Sequence, residues 1–190
     1  MATPVGRAAV VEALLDAAEA ELAEVGVTAA SVRRIARRAG VNHGLVHRHF
    51  GAKDRLVAAV LDRLAARTAA AIDTLSTADL LDPAGPLGRH LRVLARAALD
   101  GVDLAAAQSS HPVADHLVAR LGGDDAARRA AARLMALAFG VHLFGPFIAE
   151  ATGIEVTEVA RSVTDSAAVP SSPSPPSPSP PSPSPPSPPS

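Results

Sequence analysis

Residues 31–57 contain two short apolar runs at helical spacing, with a glycine between them. Ala36, Gly40 and Val46 hold the three positions that a helix-turn-helix restricts most. A small side chain is needed where the two helices meet, a residue that tolerates positive φ makes the turn, and an aliphatic side chain closes the core. The spacing therefore predicts two short helices joined by a tight turn, and the second helix is too short to be stable alone.

The same segment carries positive charge with no acid beside it in the sequence. Between Val25 and Lys53 there are five arginines and three histidines but no Asp or Glu. Arginines four residues apart on one helix, such as Arg33 and Arg37, repel each other. We therefore expect an external polyanion to compensate this charge, and the polyanion that a helix-turn-helix would meet is double-stranded DNA.

The rest of the chain is acidic, and its composition argues against several classes of protein. Seven Lys or Arg against one Asp give residues 26–55 a balance of +6, so a net charge of −1 leaves −7 for the remainder. Cysteine is absent, which excludes disulfides and cysteine-ligated zinc. The acidic first 25 residues are unlike a signal peptide. The longest apolar run, residues 134–149, is shorter than the roughly 20 residues of a membrane span. We expect a cytoplasmic protein with no membrane partner.

Apolar residues recur with a helical period along most of the chain, and no segment alternates convincingly with the period of a strand. Two short helices should begin at the caps Ser31 and Asn42, and Gly26 should stop the helix before them. The other helices are predicted over residues 5–25, 52–75, 87–100, 112–121 and 124–151, with a weaker one over 155–167. The predicted fold class is all-α.

Three parts of the chain are predicted from these patterns. Residues 1–52 form a three-helix, helix-turn-helix DNA-binding domain, and residues 53–168 form a helical ligand-binding and dimerisation domain. From residue 170 to the end every residue is Pro or Ser, 12 and 9 of them respectively. Such a segment has few backbone donors and nothing to bury, so residues 169–190 are predicted to be a disordered tail.

The N-terminal part resembles the DNA-binding domain of TetR-family transcriptional regulators. The family pattern of Gly, Ser/Thr-Val, Ile-Ala, Ala-Gly-Val, Gly, aromatic, Phe, Lys and Leu appears here as GVTAASVRRIARRAGVNHGLVHRHFGAKDRLVAAVL. With the helix that precedes it, the similarity covers about residues 7–65. The resemblance implies a homodimeric, ligand-responsive repressor with a helical C-terminal domain and no catalytic residues, metal or fixed cofactor.

The resemblance also implies a set of DNA contacts in this chain. The residues expected to contact base edges are Arg33, Asn42, His43 and Gly44. The residues expected to contact phosphates are Ser31, His47, Arg48, His49 and Lys53.

Three positions depart from the family pattern. The family usually has Tyr at position 47 and often at 49, where this chain has His, and Ala52 is a poor cap for the fourth helix.

Lys53 is the only lysine in the chain. A cation in the first turn of a helix opposes the macrodipole. The position of Lys53 therefore favours a role in binding phosphate at the start of this helix over simple exposure to solvent.

The C-terminal part resembles the helix that family members pair across a two-fold axis. The predicted dimer interface consists of Leu134, Ala138, Val141, Phe144 and Ile148; the alternative is ordinary packing within one chain. Polar candidates for an effector pocket are His90, Gln108, His111, Asp115 and His116. The effector itself is unknown, and the scarcity of aromatic residues favours a small or aliphatic one.

Other interpretations stay open at this point. An enzyme would have only His111, Asp115 and His116 as candidate catalytic residues. A scaffold or adaptor could dock partners on its Pro/Ser tail through PxxP steps, although the tail lacks the flanking Arg that usually orients such peptides. His43 and His47 have the i, i+4 spacing of a metal site, with His49 nearby, but no Cys or carboxylate in the sequence around them completes it.

Overall fold

The computed structural model describes residues 4–76, 82–155 and 157–158, and this part of the chain contains eight helices longer than three residues and no strand. In chain order they are α1 Arg7–Ala29, α2 Val32–Arg38, α3 Gly44–Phe50, α4 Lys53–Ala71, α5 Pro86–Leu99, α6 Leu104–Ala107, α7 Pro112–Arg120 and α8 Asp125–Thr152. The predicted all-α fold is confirmed. The tail over 169–190 lies outside the described residues, as does most of the helix predicted over 155–167.

The predicted boundaries of α5, α7 and α8 agree with the structure to within one residue at each end. Helix α4 ends at Ala71, four residues before the predicted end. Helix α6 was not predicted, because four residues are too few to show a period. It begins where the Asp103 carboxylate accepts hydrogen bonds from the backbone N–H groups of Ala105 and Ala106.

Helix α1 breaks at Gly26, the residue that the sequence predicts as its stop. Gly26 has φ 81° and ψ 178°, a backbone conformation essentially restricted to glycine. The chain then makes one further helical turn to Ala29 before it reaches Ser31. Gly26 thus ends the straight part of α1 and directs the chain towards α2.

A single apolar core joins the N-terminal helices to α5. Leu22 of α1, Ile35 of α2, Leu61 of α4 and Val93 of α5 all belong to one buried cluster. Burying each such aliphatic side chain contributes about 1.5–3 kcal/mol. The core therefore fixes α1–α4 against α5, while the predicted division of the chain at residue 52 stays a prediction.

Arg63 holds α4 to α1 through a network of carboxylates. Its guanidinium lies 3.2 Å from Glu12, 2.8 Å from Asp16 and 2.9 Å from Glu19, and its side chain is only 10% exposed. Arg67 lies one turn later and approaches Glu19 at 3.5 Å. These contacts account for much of the acidic charge of α1.

Two aspartates, one in α4 and one just after it, anchor α7 and the segment that precedes α7. Asp73 accepts hydrogen bonds from His116, at 3.0 Å, and from Arg120. The His116 ring, followed by Arg120, holds the pKa of Asp73 below its usual value. Asp62 of α4 accepts from both the backbone N–H and the hydroxyl of Ser109, at 3.1 and 2.8 Å.

The polar residues predicted for an effector pocket differ in burial and in hydrogen-bond partners. His116 pairs with Asp73 at the surface, and His111 and Asp115 are exposed. His90 alone is buried, 4% exposed, with its Nδ1 3.0 Å from the Thr68 hydroxyl. Burial lowers the pKa of His90 from 6.5 to about 4, so this ring is neutral at pH 7.

Candidate nucleic-acid interface

The helix-turn-helix is formed by α2, a turn at Gly40, and α3. The Ser31 hydroxyl accepts a hydrogen bond from the Arg34 N–H at 3.2 Å, so Ser31 caps α2. Gly40 has φ 68°, the positive value that the turn needs. Ala36 and Val46 are 1% and 0% exposed, and they pack where the two helices meet.

Helix α3 begins next to the residues predicted to contact bases. Asn42 Oδ1 accepts a hydrogen bond from the Gly44 N–H at 2.8 Å, which ties the Asn42 side chain to the start of the helix. His43 occupies the N-cap position and makes no side-chain capping bond. Both His43 and Gly44 are exposed, as is Arg33 on α2. Their side chains or backbone are therefore accessible to an external partner.

Two of the α2 arginines are compensated inside the protein, which corrects the expectation from the sequence. Arg34 Nε lies 2.6 Å from Glu21 Oε1, and Arg38 makes a two-pronged contact with Glu24 at 2.6 and 2.8 Å. The hydrogen bond from Arg38 lowers the pKa of Glu24 and raises that of Arg38. Glu21 is 2% exposed, so α1 supplies a buried acid directly beneath α2.

The remaining cations of this surface have no internal partner among the residues that the structure describes. Arg33, Arg37, Arg48 and Lys53 form no ion pair there, and the first three are exposed while Lys53 is half-buried. Lys53 begins α4, whose N-cap Ala52 makes no side-chain capping bond. The internal ion pairs thus orient α2, and the unpaired cations leave a positive surface beside α3.

His47 has a more limited capacity for hydrogen bonding than the sequence suggested. Its Nδ1 lies 2.9 Å from the Gly51 carbonyl oxygen, which can only accept, so Nδ1 carries the proton. In the neutral ring Nε2 is then an acceptor and repels phosphate. A hydrogen bond from Nε2 to phosphate therefore requires the protonated ring.

One cation near this surface was missed by sequence reasoning. Arg7, at the start of α1, lines a concave site of about 360 Å³ together with Leu45, Arg48 and His49. No sequence pattern indicates it, because Arg7 is separated from Arg48 by the whole of α1 and α2. Within the described ranges no group of three His, Cys, Asp or Glu side chains could hold a metal ion.

Helix α8 carries an exposed apolar face. Leu143, Phe144 and Phe147 are 39%, 59% and 69% exposed. Of the residues predicted for the dimer interface, Phe144 lies on this face, Leu134, Ala138 and Ile148 are half-buried, and Val141 is 6% exposed and so covered mainly by its own subunit. By length and composition alone α8 is also long and apolar enough to cross a membrane.

Comparison with known proteins assigns the family. The sequence profile of the family described as "Bacterial regulatory proteins, tetR family" matches residues 14–60. The HTH-type transcriptional repressor Rv3405c of Mycobacterium tuberculosis is 47% identical over 172 residues, which covers 87% of this chain and 90% of that protein. The HTH-type transcriptional regulator Mb3439c of Mycobacterium bovis has the same identity and coverage.

Solved structures agree on the fold. A transcriptional regulator from Rhodococcus sp. Rha1 superposes with a TM-score of 0.60 at 24% identity, over 83% of this chain and 93% of that one. A TetR-like transcriptional regulator from Rhodococcus sp. RHA1 gives 0.54 at 23% identity, over 86% and 96%. The chain belongs to the TetR family of bacterial regulatory proteins, and it is a DNA-binding transcription regulator with a helix-turn-helix, not an enzyme.

Proposed function

We propose that this protein is a cytoplasmic, ligand-responsive repressor that binds a palindromic operator as a homodimer. The observation that carries the proposal is the surface beside α3, where Arg33, Arg37, Arg48 and Lys53 have no internal ion-pair partner among the described residues. Repression is the activity named for the relative from Mycobacterium tuberculosis. Unpaired cations around a short exposed helix are what a DNA backbone would neutralise.

In this proposal two groups of residues have different tasks. Arg33, Asn42, His43 and Gly44 meet base edges in the major groove and determine the sequence that is bound. Ser31, Arg48, His49 and Lys53 hold phosphates and determine register and salt sensitivity. His47 joins this group only when its ring is protonated, since its Nδ1–H is used by the Gly51 carbonyl. Arg34 and Arg38 are assigned to neither group, since Glu21 and Glu24 already engage them.

The homodimer is proposed to form through the exposed face of α8. Phe144 and Phe147 are the most exposed large apolar side chains of this helix, and an apolar surface of this kind is usually covered by a partner. A two-fold axis there would present one α3 from each subunit, and a separation near 34 Å would place them on adjacent turns of one face of DNA. This arrangement explains the exposed apolar face of α8 without a membrane.

Response to a small effector is supported by buried polar atoms in the C-terminal half. The Nε2 atoms of His90 and His142 are buried and have no hydrogen-bond partner in the described residues. His142 Nδ1 donates to the Ala138 carbonyl at 2.9 Å, so its Nε2 is an acceptor in the neutral ring. An effector with a hydrogen-bond donor would satisfy it.

Selection of bound duplexes from a random library tests the proposal. The homodimer should enrich a palindrome with two half-sites about one helical turn apart. Enrichment of an asymmetric site would contradict the homodimer on a palindrome, and no enrichment over input DNA would contradict sequence-specific binding itself.

We expect Lys53→Ala to weaken binding to every duplex by a similar factor. Loss of one phosphate contact should reduce the slope of log K against log salt by about one unit. Salt titrations of a selected operator and of unrelated DNA measure both quantities. Arg89→Ala, an exposed cation on α5, is the matched control and should leave the slope unchanged. An unchanged slope for Lys53→Ala would show that Lys53 does not hold a phosphate.

A further inference from the structure

Asp100 lies at an unfavourable position for the helix that carries it. It is the C-cap residue of α5, where the macrodipole disfavours a negative charge. The carboxylate instead accepts a hydrogen bond from the backbone N–H of Thr28, with Oδ2 2.9 Å from that nitrogen. Thr28 belongs to the helical turn that leads from Gly26 to α2, and an acid is favoured at the start of such a turn.

Gly26 makes this contact possible in two ways. Its positive φ starts the turn that aims the Thr28 N–H at Asp100. A Cβ on Gly26 would lie 2.6 Å from Asp100 Oδ2, closer than carbon and oxygen can approach. The carboxylate therefore occupies the space that any other residue at position 26 would fill.

This contact is a direct polar link between residues 4–52 and residues 82–155. Other polar contacts of α1 with the chain after residue 52 run through α4, where Arg63 and Arg67 pair with the acids of α1. The apolar packing of α1 against α5 can tolerate small shifts, whereas a short hydrogen bond to a charged group fixes distance and direction. Thr28 is three residues before Ser31, the cap of α2, so the link acts close to the helix-turn-helix.

We propose that Asp100 is a positioning residue that sets the spacing at which the two subunits present α3 to DNA. Its carboxylate holds the junction of α1 and α2 against the end of α5, which belongs to the half of the chain that carries α8. The orientation of the helix-turn-helix relative to the dimer axis then depends on this link. The inference rests on the proposed function, since it requires a homodimer on a palindromic operator.

The test compares operators that differ only in the spacer between the selected half-sites, shortened or lengthened by one base pair. We expect the wild type to favour the selected spacer, and Asp100→Ala to reduce this preference by about three- to tenfold. Asp100→Asn keeps an acceptor for the Thr28 N–H and should restore the preference. Exchange of the Thr28 amide with deuterium should be about tenfold faster in Asp100→Ala than in wild type.

Asp103→Ala is the matched control, because Asp103 lies in the same segment and caps α6 without reaching α1. It should leave both the spacer preference and Thr28 exchange at wild-type values. The inference is overturned if Asp100→Ala keeps the wild-type preference, or if Asp103→Ala changes it equally. A wild type that binds no spaced palindrome would instead overturn the proposed function, and this inference with it.

Discussion

A double variant, Phe144→Asp with Phe147→Asp, should be monomeric and should lose at least about a hundredfold in operator affinity. The two rings are 59% and 69% exposed on α8. In a dimer they would be buried, and two carboxylates in an apolar interface without partners would cost several kcal/mol. A monomer can engage only one half-site, so the loss of the second site lowers affinity by a large factor.

Sedimentation velocity gives the oligomeric state, and operator titration at fixed salt gives the affinity. Leu99→Asp is the matched control, because Leu99 is an apolar side chain on α5 that is 87% exposed. It should remain dimeric and bind as the wild type does. If the double variant is still a dimer, the interface lies elsewhere on the subunit.

His90 should make the folded protein sensitive to moderate acid. In the unfolded chain this ring titrates near its ordinary pKa, about 6.5, whereas in the folded protein its pKa is about 4. Between these values the unfolded state binds the proton and the folded state does not. The contribution of the neutral His90 ring to the free energy of unfolding is therefore complete above pH 6.5 and decreases as the pH drops towards 4. The expected loss is about 3 kcal/mol over that interval.

Urea unfolding at a series of pH values measures this effect. His90→Gln should remove this part of the pH dependence, so its stability difference from wild type should shift by about 3 kcal/mol between pH 7 and 4. His111→Gln, at an exposed histidine, is the control and should follow the wild-type curve. Parallel curves for wild type and His90→Gln would show that the buried ring is not the cause. Carboxylates with lowered pKa, such as those of Glu24 and Asp73, act in both proteins and cancel in the comparison.

The elements predicted well from the sequence depend on local signals. The cap at Ser31, the turn at Gly40 and the small residue at Ala36 each act within a few residues of their partners. The helical period of α4 and α5 likewise reports one buried face. Such features can be predicted from the sequence because the residues that cause them lie within a few positions of one another.

The features that were not predicted depend on contacts between distant parts of the chain. Glu21 and Glu24 neutralise Arg34 and Arg38 from another helix, so a charge count within residues 26–55 overstated the free positive charge. The period of α8 did not show which side faces outward, because the helix is apolar on nearly all sides over residues 134–149. The contact of Asp100 with Thr28 joins residues 72 positions apart, and no pattern in the sequence marks it.

The central claim is that α2 and α3 identify bases, and base-by-base discrimination tests it most directly. Affinities of wild type, Arg33→Ala and His43→Ala should be measured for operators carrying each of the four bases at every half-site position. Each variant should lose about 1–3 kcal/mol of discrimination at one position and keep the wild-type preference elsewhere. Uniform weakening at all positions, with every base preference intact, would contradict base recognition by these two residues.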